Sequence, residues 1–80
     1  MSHHEKAIKL WENMENAALL FDRDATMYAA HEYGLASGCY LQYLEDRNIE
    51  PEEVQAIIGQ ERWDNLEDLD AKIGCWLEEG

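Results

Sequence analysis

Basic side chains are scarce in this 80-residue chain. Six lysines and arginines stand against 18 aspartates and glutamates, and the formal net charge is −12. Contacts to the phosphates of nucleic acid require lysine and arginine, so the charge balance argues against direct nucleic-acid binding. It also disfavours association with an anionic membrane surface. The partner that the composition favours is a protein with a basic surface.

Proline, glycine and cysteine are also few, at one, five and two residues. These counts exclude collagen-like and proline-rich classes, and two cysteines are too few for a disulfide scaffold. Cys39 and Cys75 stand in apolar helical patterns, which predicts two buried, reduced thiols. A Cys39–Cys75 disulfide stays open as the alternative. The residues from Met1 to Lys6 show no signal peptide, so we expect a cytoplasmic protein.

The size and the apolar patterning predict the fold class. Eighty residues provide one domain at most, so we expect a single helical domain over residues 1–80. The hydrophobic fraction of 46% is that of a globular chain rather than a disordered one. No segment alternates with period two, so no strand is predicted. The expected fold is all-α, a small compact bundle of three to four antiparallel helices.

The first helix is expected from about Ser2 to Phe21. Ser2 followed by Glu5 is a capping-box pattern. Apolar residues then recur at three- and four-residue spacing along one stripe, comprising Ala7, Leu10, Trp11, Met14, Ala17, Ala18 and Phe21. An aspartate of the following Asp22-Arg23-Asp24 junction is expected to cap the next helix.

Residues 25–44 carry one formal charge, on Glu32, and are apolar nearly all round a helical wheel. Such a helix is either a membrane span or the central helix of a bundle. Glu32, His31 and the absence of basic flanking anchors favour the bundle. We therefore predict that helix 2, at about residues 25–46, is central and the most buried helix, with no membrane association.

Two glycines in this segment have a specific expected role. Gly34 and Gly38 would let a neighbouring helix approach helix 2 closely, at a propensity cost of about 1 kcal/mol each. A kink or break at Gly34 is the alternative.

A short third helix has a clear start signal. Pro51 suits the first helical position, and the acidic residues after it suit the first turn. Ile49 and Val54 have the spacing of a hydrophobic staple. Gly59 is expected to end this helix.

The last helix is expected from about Asp64 to Glu78. A separate turn of helix is expected before it, at Gln60–Trp63. Asp64 with Glu67 forms a second capping-box pattern. The apolar stripe of this helix comprises Trp63, Leu66, Leu69, Ile73, Trp76 and Leu77.

Motifs for metal, cofactor or catalytic chemistry are weak. No Cys-x-x-Cys or His-Glu-x-x-His is present. Asp22-x-Asp24-x-Thr26 opens like a calcium loop but has Met27 and Tyr33 where that loop needs glycine and glutamate. We therefore predict no metal, no cofactor and no enzyme. Glu32, alone on an apolar helix, is the residue on which an oligomeric enzyme would be built.

The negative charge is concentrated in the C-terminal half. Residues 1–44 carry six acids and three bases, a net charge of −3, and residues 45–80 carry twelve acids and three bases, a net charge of −9. One-sided carboxylates on the last helix serve either solubility or a basic partner. The predicted partner-binding residues are first Glu61, Asp64, Glu67 and Asp68, and second Glu50, Glu52 and Glu53.

These observations predict a non-catalytic, acidic protein that binds and inhibits a basic partner with a nucleic-acid-binding channel. By analogy, very small acidic domains without catalytic motifs are common among phage-encoded inhibitors, including anti-CRISPR and DNA-mimic antirestriction proteins. Such a protein would act in the host cytoplasm. A small regulatory, adaptor or antitoxin-like subunit is the alternative, and the Glu32 enzyme is the third. A homodimer stays open.

Overall fold

Four α-helices account for nearly all of residues 3–79, the part of the chain that the computed structural model describes. They are α1 (His3–Arg23), α2 (Met27–Arg47), α3 (Pro51–Ile58) and α4 (Gln60–Glu79). No strand occurs in this part of the chain. The predicted all-α bundle is confirmed, whereas the predicted cap at Ser2 lies outside the described residues.

Contacts between side chains define the directions of the three long helices. His3 Nδ1, at the start of α1, lies 3.3 Å from Tyr43 Oη near the end of α2, so these helices are antiparallel. Glu15 and Asp22 of α1 pair in the same order with Arg62 and Lys72 of α4, so α1 and α4 run in one direction. The short α3 joins α2 to α4.

The core is joined across α1 and α4 by two aromatic pairs. The rings of Trp11 and Trp63 stack with centroids 6.2 Å apart. Phe21 meets Trp76 edge to face at 5.3 Å. Trp11, Phe21 and Val54 are the largest fully buried side chains. The predicted apolar stripes of α1 and α4 therefore meet, and such pairs each stabilise beyond the area that they bury.

The predicted central position of helix 2 is wrong. Helix α1 packs closely against each of the other three helices, whereas α2 packs mainly against α1. One side of α2 is buried, but the helix still exposes Tyr28 at 68%, Leu41 at 56% and Leu35 at 54%. Two long helices and one short one cannot surround a third long helix, so every helix of a chain this small keeps a solvent side.

The predicted close approach at Gly34 and Gly38 is also wrong. Both glycines are exposed, and no neighbouring atom lies within 4 Å of the position that a β-carbon would occupy. Both lie inside the continuous helix α2, so Gly34 does not break it. No helix crosses α2 at this point in the described structure.

Replacement of either glycine by alanine is expected to stabilise the protein. We expect Gly34→Ala and Gly38→Ala each to raise the free energy of unfolding by about 0.5–1 kcal/mol, because alanine favours helix and restricts the unfolded chain. Urea denaturation followed by circular dichroism measures the change. The matched control is Gly59→Ala, where φ of 102° should make alanine cost about 1–3 kcal/mol. A loss of stability at Gly38 would contradict the open surface.

Helix α2 begins with a threonine cap rather than an aspartate. Thr26 has an extended backbone, and its Oγ1 accepts a hydrogen bond of 3.1 Å from the N–H of Ala29. The predicted aspartate cap is therefore wrong by two residues. At the other end, Asn48 has a left-handed backbone, and its N–H donates to the last carbonyls of the helix.

The structure confirms the predicted start of α3. The end of α3 shows that the predicted start of α4 is wrong. Ile49 and Val54 are both buried. The N–H of Gly59 donates to the carbonyl of Gln55 at 2.9 Å, while its carbonyl accepts from the N–H of Trp63 at 3.2 Å. This one residue ends α3 and opens α4, so α4 begins at Gln60 and not at Asp64. The predicted capping box at Asp64 is wrong because Asp64 lies inside the helix.

Both cysteines are exposed, free thiols, which corrects the prediction that they are buried. Cys39 lies on the outward side of α2, in line with Tyr28 and Leu35. Cys75 lies on the outward side of α4. Their apolar sequence neighbours pointed to burial, but each cysteine lies on the solvent side of its helix, next to buried residues such as Tyr40 and Ile73.

Candidate partner-binding site

Four carboxylates lie on the solvent side of α4, and we call them the α4 acidic face: Glu61, Asp64, Glu67 and Asp68. All four are exposed. Glu61, Asp64 and Asp68 lie across the helix from the buried Leu66 and Ile73, and Glu67 lies at the margin of the face, beside Trp63. The structure thus brings the first predicted group together on one side of one helix. Their role in binding stays a prediction.

The basic residues of α4 turn away from this face and toward α1. Arg62 Nη2 lies 2.6 Å from Glu15 Oε1, and the hydrogen bond to Glu15 raises the pKa of the guanidinium. Lys72 Nζ lies 2.7 Å from Asp22 Oδ1. No basic side chain among residues 3–79 pairs with any carboxylate of the α4 acidic face. Its negative charge is therefore not neutralised within the described chain.

Two members of the face are held by hydrogen bonds from their own helix. Asp64 Oδ1 accepts from Gln60 Nε2 at 2.7 Å, and Glu67 Oε1 accepts from the indole Nε1–H of Trp63 at 2.9 Å. Both donors are uncharged, so the carboxylates are oriented without losing their net charge. This arrangement suits recognition of a positive surface, because pre-ordered side chains lose less entropy on binding.

The second predicted acidic group, on α3, is partly occupied by structural contacts. Glu53 Oε2 accepts from the backbone N–H of Glu50 at 2.7 Å, and Glu53 Oε1 lies 3.3 Å from His4 Nε2. The bond from Glu50 and the contact with His4 lower the pKa of Glu53. Glu53 thus orders the start of α3 and links it to α1, while Glu50 and Glu52 are exposed.

Asp70 is a carboxylate of α4 that the sequence prediction missed. Its Oδ1 accepts a hydrogen bond of 2.7 Å from the phenol of Tyr33, which joins α2 to α4. A signal existed in the sequence, because Asp70 is four residues after Leu66 and three before Ile73, at the edge of the apolar stripe.

The two buried tyrosines make the free energy of unfolding depend on pH in the alkaline range. Burial raises the pKa of Tyr40 to about 12, and burial with the Asp70 hydrogen bond raises that of Tyr33. The folded protein therefore keeps protons that the unfolded chain releases above its ordinary pKa of about 10. We expect this contribution to be fully present below pH about 10. It should be lost as the pH rises toward 12, by up to about 1.4 kcal/mol per pH unit for each tyrosine.

Urea denaturation at a series of pH values between about 9 and 12 measures this loss. Tyr40→Phe should flatten the decline, whereas Tyr28→Phe, at an exposed phenol, should leave it unchanged. An equal effect of both variants would contradict the role of burial.

A second surface lies on the outward side of α2, and we call it the α2 apolar face: Tyr28, His31, Leu35, Gly38 and Cys39. All five residues are exposed and none carries a formal charge. Glu32 lies at the edge of this face, half-buried in a groove against Leu10 and Ala17 of α1. The chain thus presents one strongly negative side and one uncharged apolar side.

Comparison with models of known protein families, with curated proteins and with solved structures found no match. No relative therefore supplies a residue role. Among residues 3–79, no three histidine, cysteine, aspartate or glutamate side chains are grouped so that they could hold a metal ion. Within the same range, every helix is too short or too polar to cross a membrane.

Proposed function

We propose that this protein is a non-catalytic inhibitor that binds a basic, nucleic-acid-handling protein through the α4 acidic face. One observation carries the proposal. Arg62 and Lys72, the basic residues of α4, pair with α1, and the carboxylates beside them have no basic partner in the described chain. Narrower forms of the proposal are a DNA mimic and a phage anti-defence protein of the anti-CRISPR kind.

Folding alone does not favour this placement of charge. Like charges three or four residues apart on a helix destabilise it by about 0.2–0.5 kcal/mol per pair. Solubility is served by charge anywhere on the surface, whereas a basic partner requires it in one place. Clustered carboxylates can occupy a channel lined with lysine and arginine that otherwise takes phosphates.

Displacement of DNA tests the proposal directly. A fluorescent DNA duplex is bound to a basic DNA-binding protein, for example a linker histone, and this protein is titrated into the complex. We expect a fall in fluorescence anisotropy as DNA is released, and much weaker release at about 0.3 M salt than at about 0.05 M because salt screens exposed charges. Absence of release at low salt would overturn the proposal.

A regulatory or adaptor subunit is the second candidate, and the α2 apolar face favours it. Tyr28 and Leu35 are more than half exposed, and an exposed apolar patch marks a contact site for another protein or another copy of this chain. Binding through this face would be insensitive to salt and lost in Leu35→Lys. Binding through the α4 acidic face has the opposite pattern, so the two candidates are separable.

We place the protein in the cytoplasm, which is the host cytoplasm if a phage encodes it. Two exposed thiols without a disulfide fit a reducing compartment.

A further inference from the structure

A small aromatic cavity lies where α1, α2 and α4 meet. It has a volume of about 140 Å³. Its walls include four aromatic rings and two carboxylates, those of Trp11, Tyr33, Tyr40, Trp63, Glu67 and Asp70. Only Glu67 belongs to the α4 acidic face, so the cavity opens beside that face and is not part of it.

Two carboxylates accept hydrogen bonds from aromatic side chains that line the cavity. Trp63 donates its indole N–H to Glu67 at 2.9 Å, and Tyr33 donates its hydroxyl to Asp70 at 2.7 Å. Neither carboxylate has a basic partner among residues 3–79. Aromatic faces together with unneutralised negative charge attract a cation, and the attraction grows as the cation loses water.

Tyr40 requires that the ligand of this cavity carry a hydrogen-bond donor. Its side chain lines the cavity and is only 3% exposed, and its hydroxyl has no hydrogen-bond partner within residues 3–79. A buried polar group without a partner is destabilising, and a phenol oxygen can accept a hydrogen bond from an entering N–H. The cation that fits best therefore carries N–H groups.

The ring of Trp11 already accepts one guanidinium within the protein. The central carbon of the Arg62 guanidinium lies 5.1 Å from the centroid of this ring. A planar guanidinium both stacks on aromatic rings and donates to carboxylates in a fixed fork, which an ammonium does not. Glu67 and Asp70, three residues apart on α4, lie on neighbouring positions of the helix surface for such a fork.

We propose that this cavity binds the guanidinium group of an arginine side chain presented by the basic partner. This inference rests on the proposed function for the identity of the partner, but the cavity itself can be tested without one. The arginine would anchor the complex, and the α4 acidic face would supply steering and complementary charge around it.

The test uses the full chain and small probes. Blocked arginine, N-acetyl-arginine amide, is titrated while NMR follows the indole N–H signal of Trp63. We expect saturable shifts of this signal, weaker binding of blocked lysine and of tetramethylammonium, and none of blocked citrulline, which keeps the shape but not the charge. Free arginine should bind no better than the blocked form if the natural ligand is a side chain. Equal binding of citrulline, preference for tetramethylammonium, or no saturable shift would overturn the proposal.

Variants separate binding from folding. Glu67→Gln and Asp70→Asn should each weaken binding of blocked arginine, whereas Glu61→Gln, with the same change in net charge, should not. Tyr40→Phe should weaken binding by roughly 2–10-fold, since one hydrogen bond is lost. The same variant should raise the thermal midpoint, because it removes an unpartnered buried hydroxyl, so misfolding cannot explain the loss. An unchanged affinity in Tyr40→Phe would remove the donor requirement and contradict the guanidinium assignment.

The outcomes also distinguish this inference from the proposed function. Displacement of DNA from a basic protein without binding of blocked arginine would overturn the cavity assignment alone. Binding of blocked arginine without displacement of DNA would support the cavity and overturn the inhibitor proposal.

Discussion

Trp11→Ala is expected to lower the free energy of unfolding by about 3–5 kcal/mol, the usual cost of removing a buried aromatic side chain. Trp11 is 1% exposed and stacks on Trp63, so its loss opens the contact between α1 and α4. The guanidinium of Arg62 also lies over its ring. The free energy of unfolding of a natural domain is about 5–15 kcal/mol in total, and small domains lie at the lower end of this range. The variant should therefore be largely unfolded on mild heating.

Thermal and urea denaturation measure this effect, with Leu19→Ala as the matched control. Leu19 is a large apolar residue of the same helix but is 47% exposed, so its truncation should change stability little. Similar losses in the two variants would mean that Trp11 does not organise the core.

Charge reversal at Asp64 and Asp68 is expected to weaken binding to a basic partner by roughly tenfold or more, mainly through slower association. Complementary fields raise association rates by factors of about 10–10³, and this contribution is lost when lysines replace the acids. Thermal stability should stay equal or rise slightly, because repulsion within α4 is relieved. The measurement is stopped-flow association with a fluorescent peptide of alternating lysine and arginine, together with a thermal scan.

The control must change net charge equally without touching an ion pair. Glu12 and Glu15 are unsuitable because both pair with Arg62. The double variant Asp24→Lys with Glu45→Lys is a matched control. Both residues are exposed, and neither has a basic partner among residues 3–79. Equal loss of binding in both double variants would show that only net charge matters. No loss in either would favour the α2 apolar face as the contact.

The candidate site could be predicted only in part. Exposure of Glu61, Asp64, Glu67 and Asp68 followed from their positions outside the apolar stripe, because one helix face must point to solvent when the other is buried. Their lack of basic partners did not follow, because each of them stands within five residues of Arg62 or Lys72 in sequence. Only the packing of α4 against α1 brings Glu15 and Asp22 within reach and removes these bases from the face.

The cavity, and the cation binding that we propose for it, could not be predicted from the sequence for the same reason. Trp11, Tyr40 and Asp70 lie on three different helices, and no local sequence pattern predicts that they come together. The wheel of α2 is apolar nearly all round, so it contained no signal to separate the buried Tyr40 from the exposed Tyr28. Which side of α2 is covered depends on the position of α1 and on the number of helices available.

Local order was determined by the sequence itself. The helices, the start of α3 at Pro51, its end at Gly59 and the apolar stripe of α1 all follow from periodicity and from backbone preferences of single residues. Tertiary structure alone decided the central role of α1, the exposure of Gly34 and Cys39, and the partners of each charge. The physical reason is range: hydrogen bonds within a helix join residues four apart, whereas burial and ion pairing here join residues up to about fifty positions apart.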